Sequence, residues 1–260
     1  MEDIIRLEKI SILSQNFEVL HKVSVRLPRG KSTIIMGPSG CGKSTLLKVA
    51  AGIMIPENGQ VFWEEKNLLK LSEKKTAAFR KSNGFVFQDG ALWSNKSMFE
   101  NLALPLQFYY RGWSRAEVEH RVFSLLDIMN LSSQSHLRPA QLSYGERKLV
   151  SFLRALVLKP SIIFMDEPTL SIDHEMRERM FKMIKELKAE GCSIIAVTHD
   201  SNLISLIADY LVIVKSGYII EEGNFEQVRR STNPEVSKIL ALVLSEAATY
   251  DQDLLDLLNG

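Results

Sequence analysis

Short apolar runs alternate along the chain with longer stretches in which apolar residues return every three or four positions. Phe17 to Leu20 and Val23 to Leu27 read as β segments, and Pro28-Arg29-Gly30 turns the second into another strand candidate, Lys31 to Met36. Gly59 to Trp63 extends this first sheet. Ser114 opens a capping-box pattern with Glu117, and Val118, Val122, Leu125, Leu126 and Met129 follow at helical spacing, which predicts a helix over 114–129. In the second half, Ile162 to Met165 and Ile194 to Val197 flank a long helix candidate through Glu175, Met180, Ile184 and Leu187. Strands apolar on both faces and separated by helices predict a largely parallel α/β core. Leu211 to Val214 and Tyr218 to Glu221 form a closing pair around Ser216-Gly217, and the tail from about Pro234 reads as one or two amphipathic helices ending Leu254-Leu255-Asp256-Leu257-Leu258.

Composition narrows what this framework does. At 260 residues and 45% apolar content the chain builds a substantial core, as one larger domain or two packed lobes. Thirty-two basic residues face 31 acidic ones, so the net charge of +1 offers no global field for nucleic acid or an acidic membrane, and any anion site is local. Cys41 and Cys192 cannot staple a secreted scaffold and lack metal-ligand spacing, which reads as free thiols in a reducing compartment. The polar start, Met1 to Arg6, is unlike a signal peptide, and no apolar run reaches bilayer length. Work at a membrane would need other chains to supply the span.

Directly after the apolar run Thr33 to Met36 comes Gly37-Pro38-Ser39-Gly40-Cys41-Gly42-Lys43-Ser44-Thr45, a phosphate-loop pattern with a strand before it and a helix after it. The glycines permit a tight turn and close backbone approach, and successive N–H groups at the helix start can surround a phosphate. Lys43 is expected to meet the β- and γ-phosphates of a nucleotide and Ser44 to bind Mg²⁺. A plain glycine-rich turn with an exposed lysine is the competing reading.

Further along, Ile162-Ile163-Phe164-Met165-Asp166-Glu167-Pro168 sets adjacent carboxylates at the end of a buried strand. Phosphoryl transfer uses such a pair, Asp166 helping to hold Mg²⁺ and Glu167 polarising the attacking water, whereas a helix-capping turn would use it only structurally. Another strand leads to Val197-Thr198-His199-Asp200, which delivers His199 to a sheet edge for γ-phosphate contact or as a turn residue. Gln88 follows Phe85-Val86-Phe87 and could offer an amide oxygen to Mg²⁺ or water.

Taken together, these residues resemble an ABC transporter ATPase over most of residues 3 to 225. Gly37 to Thr45 resembles the family's phosphate loop, Gln88 its hinge glutamine, and Leu142-Ser143-Tyr144-Gly145-Glu146 its signature. Ile162 to Glu167 resembles its acidic strand, Ser171-Ile172-Asp173 its dimer-contact loop, and His199 its switch histidine. The resemblance implies a P-loop ABC ATPase fold with a mostly parallel sheet core, an N-terminal antiparallel β lobe and a helical signature subdomain. It places the ATPase domain at 3–230, the helical subdomain near 90–157 and a helical tail at 231–260. It also implies ATP and Mg²⁺ as cofactors, with Gly37, Ser39, Gly40, Cys41, Gly42, Lys43, Ser44 and Thr45 on the nucleotide. Ser44, Gln88 and Asp166 would hold the metal, and Glu167, His199 and Gln88 would serve hydrolysis.

A head-to-tail dimer is part of the same expectation, Ser143 and Gly145 of one copy reaching ATP held by the other. Two departures stand out: Tyr144 replaces the usual first glycine and Glu146 the usual glutamine, adding negative charge that would slow the cycle or call for a compensating cation such as Arg147 or Lys148. Phe17 is the nearest aromatic to the expected adenine-stacking position, although packing of the small lobe is its simpler role.

Phe87-Gln88-Asp89-Gly90-Ala91-Leu92-Trp93 and Ser97 to Leu106 resemble ATPases of mammalian-cell-entry type phospholipid-trafficking complexes, as do Pro28 to Lys31 and Ile35 to Pro38. That resemblance implies an ATPase powering lipid transport at the cytoplasmic face of the inner or plasma membrane. Its partners would be a second copy, two transmembrane permease subunits, and lipid-binding and accessory subunits, with no nucleic acid. Phe87, Leu92, Trp93, Met98 and Phe99 would offer apolar contact to the permeases, with ordinary core packing the alternative for several of them. The alternative is the ATPase of a small-solute importer; an inactive regulatory module and a soluble nucleic-acid or ribosome ATPase are more distant readings.

Overall fold

The computed structural model describes residues 2–14 and 17–243. In chain order the strands are β1 (Asp3–Ser14), β2 (Phe17–Pro28), β3 (Ser32–Met36), β4 (Asn58–Trp63), β5 (Lys66–Asn67), β6 (Asn83–Val86), β7 (Ile162–Asp166), β8 (Ser193–Val197), β9 (Tyr210–Lys215) and β10 (Tyr218–Asn224). The α-helices are α1 (Lys43–Ala50), α2 (Glu73–Ser82), α3 (Met98–Tyr109), α4 (Arg115–Ile128), α5 (Tyr144–Leu156), α6 (His174–Ala189), α7 (Ser201–Ile207) and α8 (Phe225–Arg229), and a further helix covers 234–243. Contacts divide the chain into two compact units, residues up to Lys70 with those from Ile195 onward, and Leu71–Ile194.

In the first unit, β2, β1, β4 and β5 form an antiparallel sheet in that order. Val23, Val25 and Leu27 are buried while Lys22, Ser24 and Arg26 between them are exposed, the pattern of a sheet wet on one face. The two segments expected within 17–27 are one strand, β2, whose register against β1 shifts near Lys9 and Lys22, both at positive φ. A second sheet runs β10-β9-β3 and then Ile195–Val197 of β8. β3 and β9 are parallel, with Ile34 opposite Leu211, while β10 folds back antiparallel through Ser216-Gly217. Val236, Ile239, Leu240 and Val243 are buried, so the described start of the tail covers its apolar stripe; Leu254 to Leu258 lie outside the described residues.

The second unit places β6 parallel to β7, Phe85 opposite Phe164, beside the first two residues of β8. Four of its α-helices start at side-chain caps, while Ser72 before α2 makes no such bond. Ser97 with Glu100, Ser114 with Glu117 and Ser143 with Glu146 each close a reciprocal capping box, and Asp173 accepts from Met176 N at 3.0 Å to start α6. The helix expected over 114–129 is therefore α4. The parallel pairs, the antiparallel N-terminal lobe and the helical signature region agree with the expected fold. Among the described residues no helix is long and apolar enough to cross a membrane.

Candidate active site

β3 is buried along its whole length and hands the chain to Gly37 at its end. A Cβ on Gly37 would stand 1.9 Å from the Val214 carbonyl oxygen and 2.8 Å from Cys41 Sγ, so only hydrogen fits where the loop passes β9. Pro38, Ser39 and Gly40 are exposed, whereas Cys41, Gly42 and Lys43 turn inward. Lys43, 8% exposed, donates to the Gly37 and Pro38 carbonyls, both at 2.8 Å, and so closes the loop from inside. Cys41 Sγ donates to Val214 O at 3.2 Å. Burial raises its pKa against the opposing pull of Lys43, so the residue is held as a thiol.

How α1 begins decides what the loop can hold. Its N-cap is Gly42, which supplies no side-chain acceptor, and its first turn carries no acid. α3, α4 and α5 by contrast each have a serine cap and a glutamate in the first turn. The positive end of α1, with Ser44 and Thr45 in its first turn, is thereby open to an external anion, and the lysine ammonium adds a full charge. Triphosphate fits this donor set. The oxygen donors Ser44, Asp166 and Gln88 are of the kind Mg²⁺ prefers.

The phosphate loop and His199 belong to the first unit; Gln88, Ser143, Gly145, Asp166 and Glu167 belong to the second. β7 ends at Asp166, 2% exposed, and Glu167 follows at φ +45°, in the left-handed region that β-carbon residues rarely occupy. Lys148 of α5 is fully buried and donates from Nζ to the Glu167 carbonyl. Burial lowers the Lys148 pKa to about 8, with Glu167, Asp166 and Asp89 pulling it up.

Gln88 is exposed in the turn after β6, where Gly90 N donates to Phe87 O at 3.1 Å. α5 holds that turn from two points. Tyr144 Oη donates to the Gln88 carbonyl at 2.7 Å, and Arg154 donates to the carbonyls of Ala91 at 2.9 Å and Gly90 at 3.2 Å. At the head of α5, exposed Ser143 accepts from Glu146 N at 3.1 Å while the Glu146 carboxylate accepts from Ser143 N at 2.8 Å. The charge of Glu146 thus serves its own helix start. Arg147 donates to the Leu142 carbonyl at 3.0 Å and Lys148 turns to Glu167, so the compensation expected of either is engaged elsewhere. A Cβ on Gly145 would lie 2.9 Å from the Ser171 carbonyl, which gives this glycine a packing reason within its own chain.

His199 follows β8, and the next residue, Asp200, accepts from Asn202 N and Leu203 N to start α7. Phe17 opens β2 opposite Ser14 and is 78% exposed. Packing of the small lobe, the simpler role expected for it, is therefore wrong, because the ring projects from the strand end into solvent.

The ABC transporter family profile matches residues 20–170, more than half of the chain. The chain belongs to this family. It is 34% identical over 240 residues to the methionine import ATP-binding protein MetN of Burkholderia thailandensis, covering 89% of this chain and 69% of that protein. It is also 34% identical over 212 residues to MetN of Clostridioides difficile, covering 81% and 65%. A dimeric post-hydrolysis state of an ATP-binding cassette bound to ADP and Pi superposes at TM-score 0.78 with 30% identity, covering 85% of this chain and 98% of that one. An ATP-binding subunit of an ABC transporter gives 0.79 at 26% identity, covering 94% and 98%. As an ABC ATPase, the chain is a Mg²⁺-dependent, ATP-hydrolysing enzyme.

These relatives correct the resemblance to phospholipid-trafficking ATPases: they are methionine-import proteins, and lipid transport with lipid-binding accessory subunits falls away. One stretch that suggested it is held together by a single buried side chain. Asn101, fully buried, accepts from Trp93 N at 2.9 Å and donates to the carbonyls of Trp93, Lys96 and Ser97 at 3.2, 3.1 and 2.9 Å. Asn101, in the first turn of α3, thus clasps the loop from Trp93 to Ser97 through main-chain groups alone. Met98, offered as permease contact, is 1% exposed and belongs to the core, while Trp93 is 49% exposed.

Sequence reading missed Lys148 as a partner of Glu167, half-buried Arg154 as an anchor of the Gly90-Ala91 turn, and Asn101 as a buried polar anchor. A signal existed for the first. Gly145, Lys148, Leu149, Phe152 and Leu156 recur at helical spacing, which sets a lysine on the apolar stripe of α5.

Proposed function

We propose that this chain is the ATP-hydrolysing subunit of an ABC importer for a small solute, of the amino-acid class named in its relatives. The observation that carries the reading is the 34% identity to methionine-import ATPases across 89% of the chain. Two copies work together, Ser143 and Gly145 of one facing ATP held on Gly37, Ser39, Gly40, Cys41, Gly42, Lys43, Ser44 and Thr45 of the other. Ser44, Gln88 and Asp166 hold Mg²⁺, which when bound neutralises phosphate oxygens. Glu167 polarises the attacking water, His199 orders it, and exposed Phe17 is the candidate for adenine stacking. Transmembrane permease subunits supply the span and anchor the pair at the membrane. Binding energy that differs between open and closed pairs is what lets ATP move the permeases.

Uptake of labelled methionine by cells carrying the parent, Lys43→Met or Glu167→Gln chain tests the proposal. Glu167→Gln is expected to keep ATP binding, to lose hydrolysis by about 10²- to 10⁴-fold and to abolish uptake. Hydrolysis at the parent rate refutes the catalytic assignment; intact hydrolysis with uptake of methionine indifferent to the chain refutes the cargo class.

A further inference from the structure

The turn after the catalytic strand has an unusual backbone at both ends. Glu167 stands at φ +45° and Ser171 at φ +62°, left-handed values that residues with a β-carbon keep only where their surroundings fix them. One helix touches both places. Gly145 of α5 approaches so closely that a Cβ would lie 2.9 Å from the Ser171 carbonyl, and one helical turn on, Lys148 Nζ donates to the Glu167 carbonyl. Between them the turn makes its own bond, Ile172 N to Thr169 O at 3.2 Å.

We propose that Lys148 is a positioning residue for hydrolysis: by gripping the Glu167 carbonyl from α5, it fixes the left-handed backbone from which the Glu167 carboxylate is presented. The inference rests on the reading of Glu167 as the group that polarises water. A fully buried lysine costs desolvation and persists where charge and hydrogen bonding offset that cost. Here the carbonyl of Glu167 supplies the bond, and the carboxylates of Glu167, Asp166 and Asp89 supply the opposite charge. The direction of the bond matters. Because Lys148 takes the main-chain carbonyl, the grip sets backbone geometry, on which the side chain's aim depends.

The test is steady-state ATPase of the full chain, with melting temperature and circular dichroism as controls for folding. Lys148→Met keeps the length and removes the donor; kcat is expected to fall about 10- to 100-fold while KM for ATP stays within about threefold, as misplacement of a catalytic group on a folded scaffold produces. In a Glu167→Gln background the same substitution is expected to add less than about threefold, because it acts through the removed carboxylate. A purely structural role would instead repeat its full loss in that background. Lys148→Gln, shorter but still a donor, is expected to recover part of kcat, and if the Met variant does not fold, the Gln variant carries the test with a loss of about 3- to 10-fold at unchanged KM.

An unchanged kcat in a folded variant, or a loss shared equally by kcat and nucleotide affinity, overturns the proposal. Should Glu167→Gln itself turn over at the parent rate, the catalytic reading of Glu167 fails first. If Glu167→Gln is dead and Lys148→Met is fully active, only the positioning role fails.

Discussion

Gly37 and Gly40 separate two reasons for a glycine in the phosphate loop. Both have positive φ, +154° and +75°, so an alanine at either position pays a conformational cost of about 1–2 kcal/mol. They differ in surroundings. A Cβ on Gly40 meets nothing within 4 Å, whereas one on Gly37 lands 1.9 Å from the Val214 carbonyl oxygen and 2.8 Å from Cys41 Sγ. Backbone of β9 would have to retreat by about 1 Å to restore normal separation. Such overpacking adds about 1–3 kcal/mol. Gly40→Ala is therefore expected to lose about 1–2 kcal/mol of unfolding free energy and Gly37→Ala about 2–5 kcal/mol, a large share of the stability of an ordinary domain. Urea unfolding without nucleotide measures both, free of any effect on ATP binding. Losses equal within about 0.5 kcal/mol would show that close approach to β9 does not decide the glycine at 37.

Asn101→Ala removes a buried amide whose oxygen serves Trp93 N and whose two N–H are shared among three carbonyls; Trp93 O keeps Lys96 N and Ser97 O keeps the main-chain N–H of residue 101, so Trp93 N and Lys96 O lose these bonds, a stability loss of about 2–4 kcal/mol is expected in thermal unfolding, and one below about 1 kcal/mol would refute the clasp. Lys148 predicts a pH trend. Burial holds its pKa at about 8 against an ordinary 10.5, so within that window the unfolded chain binds a proton the folded chain has released, and its contribution to stability rises with pH. The parent should accordingly gain on Lys148→Met, by on the order of 1 kcal/mol or more, as pH climbs from about 8 toward 10. Urea midpoints of the two chains that move in parallel over this window would refute the shift.

The elements were largely legible because local rules set them. Apolar runs became β3, β7, β8 and β9, and Ser114 followed three residues later by Glu117 became the start of α4; the same spacing at Ser97 and Ser143 starts α3 and α5. The chemistry at Gly37 to Thr45 was legible because phosphate recognition by a loop and the helix after it is itself local. What escaped was long-range. The bond from Tyr144 to the Gln88 carbonyl spans 56 residues, and that from Arg154 to Ala91 spans 63; no window of sequence contains either. Glu146 carries two readings at once, a charge near the signature serine and a cap for its own helix, and the capping box realises the second. The transport class failed on the relatives, which are methionine-import proteins, and nothing local in Trp93 to Asn101 names a cargo, since Asn101 bonds only main-chain groups there.

Cys41 sits inside the phosphate loop with its sulfur turned from solvent, bonded to a β9 carbonyl and kept protonated by burial. At 6% exposure it meets electrophiles slowly while the loop stays against that strand. Its labelling rate is thus a built-in gauge of how often the nucleotide cradle opens, and the enzyme carries a thiol at its most sensitive loop without a matching vulnerability to oxidants.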